Sequence, residues 1–77
     1  MNKQRRKQLE DVVAHIDQAK ELLEYILNDE QEAYYNMPGS LRESERGEQM
    51  SEYIDTMQEA FDGLDEYSCN LFEIVEG

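Results

Sequence analysis

A chain of 77 residues holds one small domain at most, and seven Lys and Arg against 19 Asp and Glu leave it with a net charge of -12. That balance argues against direct binding to DNA, RNA or anionic lipid through most of the surface. It suits high solubility, a basic protein partner, or imitation of a polyanion. No apolar run approaches the roughly 20 residues that span a bilayer. Nothing resembles a signal peptide either: the basic start Met1 to Lys7 leads into a polar, charged stretch and not an apolar one. The cytoplasm is the expected location.

The single Cys69 rules out an intrachain disulfide, and no Cys/His cluster offers a zinc site. A core of this size is thermodynamically thin: burial at about 25 cal/mol per Å² against roughly 1.5 kcal/mol per ordered residue comes out near zero. Oligomerisation or a bound partner is the remaining supplement. Charged residues make up 34% of the chain, a share that disordered segments also reach, but apolar residues held in phase over many turns argue for order.

The first helix is expected over about residues 4–36. Its apolar seam reads Leu9, Val12, Ile16, Ala19, Leu23, Ile26, Glu30 and Ala33, in alternating steps of three and four. A flanking row of Val13, Lys20, Leu27 and Tyr34 repeats every seven. The stripe is therefore wider than the two positions per heptad of a plain coiled coil. Lys20 and Glu30 are charged intrusions, and a lysine can lay its stem along apolar surface with its ammonium in water.

Pro38 disfavours helical geometry at Met37, so the helix should end near Asn36, with a turn over about 37–43. Either a new helical turn opens at Ser40, where Ser40-Leu41-Arg42-Glu43 has capping-box spacing, or Ser44 is the N-cap of the next helix. Gly47 falls on the seam register three residues before Met50. There it either admits the other helix closely or weakens the first turn.

The second helix, about 44–76, has the clearest pattern. Met50, Ile54, Met57, Phe61, Leu64, Ser68, Leu71 and Val75 form one seam, with Tyr53, Ala60, Tyr67 and Ile74 one position over. The opposite face carries Glu45, Glu48, Glu52, Asp55, Glu59, Asp62, Glu66, Glu73 and Glu76, broken only by Cys69. No Lys or Arg follows Gly47.

Two long helices joined by a short Pro-Gly connection predict an all-α antiparallel hairpin. The charges agree with that pairing. Lys3, Arg5, Arg6 and Lys7 sit at the positive end of one helix dipole, and Glu73 and Glu76 at the negative end of the other. Each placement is unfavourable alone, and antiparallel pairing brings the two ends together. Dimerisation of two hairpins into a four-helix bundle, with twofold symmetry, would cover the wide stripe. The rival is a monomer that docks its apolar face on another protein. The core and dimer seam is read as Leu9, Val12, Ile16, Leu23, Ile26, Met50, Ile54, Met57, Phe61, Leu64 and Leu71.

Chemistry has few candidates. Acid-base catalysis needs a cleft that perturbs paired carboxylates, and a two-helix hairpin offers little concavity. His15 has Asp11 four residues before it but no Glu three before it, so it lacks the Glu-x-x-His spacing of bundle metal sites. No cofactor, metal ligand or catalytic residue is assigned. The N-terminal basic cluster lacks the interleaved aromatics of a nucleic-acid arm. Tyr25, Tyr35 and Phe72 lie off the seams, where they either widen a dimer seam or form interface anchors. Cys69 reads as a reduced, inert thiol, with an intermolecular disulfide under oxidation as the lesser alternative.

The acidic row is the most suggestive feature. Steps of three and four place a carboxylate about every 5 Å along the helix, comparable to the repeat of phosphates along a strand. A rigid ladder of this kind fits a basic groove built for a nucleic-acid backbone. The plain alternative is a solvated face. Against it, like charges at i, i+4 repel by a few tenths of a kcal/mol, and mixed signs would be more stable. The candidate partner-binding residues are Glu45, Glu48, Glu52, Asp55, Glu59, Asp62 and Glu66.

The residues from Asp29 to Met50, read as E-Q-E-A-Y-Y-N-M-P-G-S-L-R-E-S-E-R-G-E around the turn, resemble small acidic proteins of phages and integrated mobile elements of Gram-positive bacteria. Gly39 departs from the acidic residue expected there, and beyond these twenty or so positions only helical periodicity is shared. The resemblance carries over no catalytic residue. It implies a setting in which small acidic proteins inhibit host defence, as anti-CRISPR and anti-restriction proteins do. The expected function is a non-enzymatic binding protein whose acidic face engages a basic protein surface, as a nucleic-acid mimic inhibiting a host nuclease or defence complex. The alternative is a structural or regulatory dimerisation module that uses the apolar seam.

Overall fold

A computed structural model describes all 77 residues and contains three helices: α1 (Lys3–Tyr35), α2 (Gly39–Arg42) and α3 (Glu45–Glu76). α1 and α3 fold back on each other as an antiparallel hairpin, and the single turn of α2 packs against the start of α3. The result is a rod of 58 × 14 × 13 Å. Its radius of gyration is 17.3 Å, whereas a globular domain of this length has about 11–12 Å. No helix is long and apolar enough to cross a membrane.

Local chemistry sets the ends. Asn2 is the N-cap of α1, its side-chain oxygen accepting from the Arg5 N–H at 2.8 Å. α1 stops at Tyr35, and Pro38, in extended backbone, accepts from the N–H groups of Leu41 and Arg42 to start α2. The connection thus contains a separate helical turn, and the next long helix starts after Ser44, so a feature of each of the two alternatives is present. Ser40 lies inside α2, and Ser44 occupies the N-cap position of α3. The Ser44 hydroxyl does not cap α3; it donates back to the Leu41 carbonyl.

Gly47 is one of four buried residues. A Cβ there would overlap the Arg42 carbonyl group and sit 2.5 Å from the Arg42 Cα. The close approach that needs glycine therefore comes from the end of α2 and not from α1.

Packing between the long helices follows one row on each. On α3 the inward row is Met50, Ile54, Met57, Phe61, Leu64, Ser68, Leu71 and Val75, as the heptads imply. On α1 Leu9, Ile16 and Leu23 face inward as expected, but the other half of the seam is shifted by one position, from Val12, Ala19 and Ile26 to Val13, Lys20 and Leu27. Val13 and Leu27 are the buried hydrophobic residues, flanked by half-buried Leu9, Ile16, Lys20, Leu23 and Tyr34. Val12 is 46% and Ile26 57% exposed, so these two expected core residues lie outside the hairpin seam.

The reason is physical. Two apolar rows run 100° apart on α1, and a single partner helix can bury only one. A charge at Lys20 counts against the Val13–Leu27 row in the sequence, but α3 supplies that ammonium with partners. The row with the larger side chains then goes inward. Val12, Ala19, Ile26 and Ala33 stay wet.

Candidate functional site

The centre of the hairpin is a polar knot. Lys20 lies on the inward row of α1, its side chain 18% exposed, and its Nζ donates to Asp65 Oδ1 at 2.5 Å. Asp17 is 3.9 Å from the same nitrogen, and the ammonium stands 5.7 Å above the Phe61 ring. The hydrogen bond that Lys20 donates to Asp65 raises its pKa above 10.5 against partial desolvation, with the charges of Asp65 and Asp17 adding to the rise. Beside it, the buried Ser68 hydroxyl donates to Asp17 Oδ1 at 2.6 Å. These bonds fix the register of α1 on α3. A slip by one turn would strand Ser68 without its acceptor and Lys20 without Asp65. Ser68 reads in the sequence as a small seam residue. Its role as a register pin depends on Asp17, 51 residues away, a pairing that no local pattern announces.

The knot also distinguishes the two broad sides of the rod. Asp17 follows Ile16 by 100° on α1, and Asp65 follows Leu64 by 100° on α3, so both lie on one side. Ala19 precedes Lys20 by 100°, and Tyr67 precedes Ser68 by 100°, so both lie on the other. Continuing each row by sevens gives Val12, Ala19, Ile26 and Ala33 on α1, and Tyr53, Ala60, Tyr67 and Ile74 on α3. In the register set by the knot, the rows form four rungs, from Val12 beside Ile74 to Ala33 beside Tyr53. All these residues are exposed, Tyr67 at 62% and Tyr53 at 54%. One broad side of the rod is therefore a wet apolar stripe, and the other is bridged by the knot.

The expected acidic row occupies the face of α3 directed away from α1. Glu45, Glu48, Glu52, Asp55, Glu59, Asp62 and Glu66 are all exposed, and Glu73 and Glu76 continue the line. None of these nine carboxylates is in an ion pair, because the ion pairs of the hairpin all belong to Lys20. Arg6 and its basic neighbours stand at the same end of the rod as Glu73 and Glu76 without a salt bridge between them, and Arg6 Nε is buried without a hydrogen-bond partner. The opposed charges at this end thus act at a distance.

No three His, Cys, Asp or Glu side chains come together as a metal-ligand set. His15 Nδ1 is 2.6 Å from the Asp11 carbonyl one turn back. Cys69 is exposed and free. The concavities are open surface grooves, one of them lined by residues of α1 alone (Gln18, Glu21, Leu22, Glu24, Tyr25 and Asn28). What the molecule offers is two extended surfaces, one anionic and one apolar. Comparison of the chain with protein-family models, curated proteins and solved structures yields no match.

Proposed function

We propose that this hairpin is a non-enzymatic binding protein whose outer α3 face engages a basic protein surface, standing in for the phosphates of a nucleic-acid strand. One observation carries the reading: nine exposed carboxylates run the length of a 32-residue helix, none of them in an ion pair and with no Lys or Arg beyond Arg46 in its first turn. Solvation alone does not call for that arrangement, since interspersed lysines would solvate the helix and remove the i, i+4 repulsion. A rigid helix presents the row with little ordering cost on binding. Its field steers a basic partner into place, quickly at low salt and less so as salt rises. The turn sequence adds the setting: a cytoplasmic protein of a phage or mobile element that blocks a host nuclease or defence complex, with no cofactor.

The test is capture from the lysate of a Gram-positive host across a salt series. The wild type is compared with the quadruple variant Glu52→Lys, Asp55→Lys, Glu59→Lys and Asp62→Lys. The reading expects bound proteins that are released by salt and absent from the variant. Retention of the same proteins by the variant at high salt contradicts it.

A second reading, self-association into a four-helix bundle, is favoured by the exposed apolar stripe. A globular monomer of 9.1 kDa exposes about 4,900 Å², whereas the hairpin exposes 6042 Å². The difference is of the order of the roughly 800 Å² that each partner buries in a standard interface. The two readings are compatible, because the acidic row points away from the seam. If the acids only solvate the helix, dimerisation is itself the function.

A further inference from the structure

We infer that a second copy of this chain covers the four-rung stripe, with the twofold axis parallel to the helices and the two Pro38 connections at the same end. This rests on the self-association proposed above and names the surface and orientation that produce it. The rungs are self-complementary in that arrangement. The twofold lays each α1 antiparallel on the α3 of the other copy at the same level. Ala19 then meets the other copy's Tyr67, and Ile26 meets its Ala60, a small residue against a large one each time.

Charge selects this orientation over the end-to-end alternative. α1 carries eight acids and five bases, and α3 carries ten acids and one base. An end-to-end twofold would pack α3 on α3, two helices of strong like charge side by side. The parallel twofold places the two α3 helices on a diagonal, each flanked only by α1 helices. It also brings Arg5, one heptad before Val12 on the stripe row, to the negative C-terminal end of the other copy's α3. The knot side, with Asp17 and Asp65, remains in water, as do the outer acids.

Light scattering of the full chain should give twice the chain mass of 9.1 kDa. Ala19→Glu and Ala60→Glu should each halve that mass while helicity by circular dichroism is kept, since both sites are exposed in the single hairpin. Asn28→Glu, off the stripe, should leave the dimer intact. Orientation is read by disulfide formation in a Cys69→Ser background, mixing an isotope-labelled Ala19→Cys chain with an unlabelled Tyr67→Cys or Ile26→Cys chain. The inference expects the 19–67 crosslink to dominate, whereas end-to-end packing would give 19–26. A monomeric wild type overturns both self-association and this interface. A dimer that survives both Glu variants, or one that crosslinks 19 to 26, overturns the interface or its orientation and leaves self-association standing.

Discussion

The two broad sides of the rod are built from the same two helices and meet opposite fates. On one side Lys20, Asp65, Asp17 and Ser68 bridge α1 to α3, so the polar groups nearest the seam find partners within the chain. On the other, Val12, Ile26, Tyr53 and Tyr67 have nothing to cover them. The difference teaches that the hairpin is closed by one apolar seam and aligned by polar contacts on one side of it, while a second apolar row on the other side stays exposed. Two helices can share one seam, and this chain carries apolar surface for two.

The sharpest way to break the comparison is to truncate neighbouring residues on its two sides. Leu27→Ala, at a buried position, should cost about 2–5 kcal/mol in chemical denaturation, the usual range for a core leucine. Ile26→Ala, one residue away and 57% exposed, should cost well under about 1 kcal/mol at dilutions where the chain is monomeric. Equal losses would place the seam elsewhere. Gly47→Ala comes next. Alanine gains about 1 kcal/mol of helix propensity over glycine, but the clash with the Arg42 backbone should outweigh it and leave a net loss of about 1–3 kcal/mol. Stabilisation by that substitution would mean that α2 does not pack where it is placed.

Ser68→Ala probes the polar side and should cost about 1 kcal/mol, a typical net value for one hydrogen bond, because it removes the donor to Asp17. The smallest effect is alkaline. The Lys20 pKa is raised in the fold, so its contribution is complete below the unfolded value of 10.5 and is lost as pH rises through the higher folded value. Thermal melts above pH 10.5 should therefore lose a component that Lys20→Met lacks. Equal pH slopes for the two proteins would contradict the pairing with Asp65.

Much of this was legible in the sequence. The α3 seam from Met50 to Val75, the break at Pro38 and the outward acidic row follow from spacing alone, since each is a local pattern. On α1 only half of the seam did: Leu9, Ile16 and Leu23 face inward as their spacing implies, whereas Val12 and Ile26 do not. Val12–Ile26 and Val13–Leu27 are both apolar heptad rows, and the charge of Lys20 made the true inner row look like a flank. What decides between them is a pair of contacts across the hairpin, Lys20 with Asp65 and Asp17 with Ser68, and periodicity within one helix carries no information about its neighbour. The clash that fixes Gly47 likewise comes from a backbone atom of the connection.

In the proposed dimer a second copy covers the apolar stripe, and the acidic row stays free for a partner. Carbene footprinting of the protein across a dilution series tests this most directly. Labelling at Val12, Ile26 and Tyr67 should be low at high concentration and rise as the protein is diluted, while Glu52 and Glu59 stay labelled throughout. Labelling of the stripe that does not change with concentration, or protection of the acids in its place, would contradict the account.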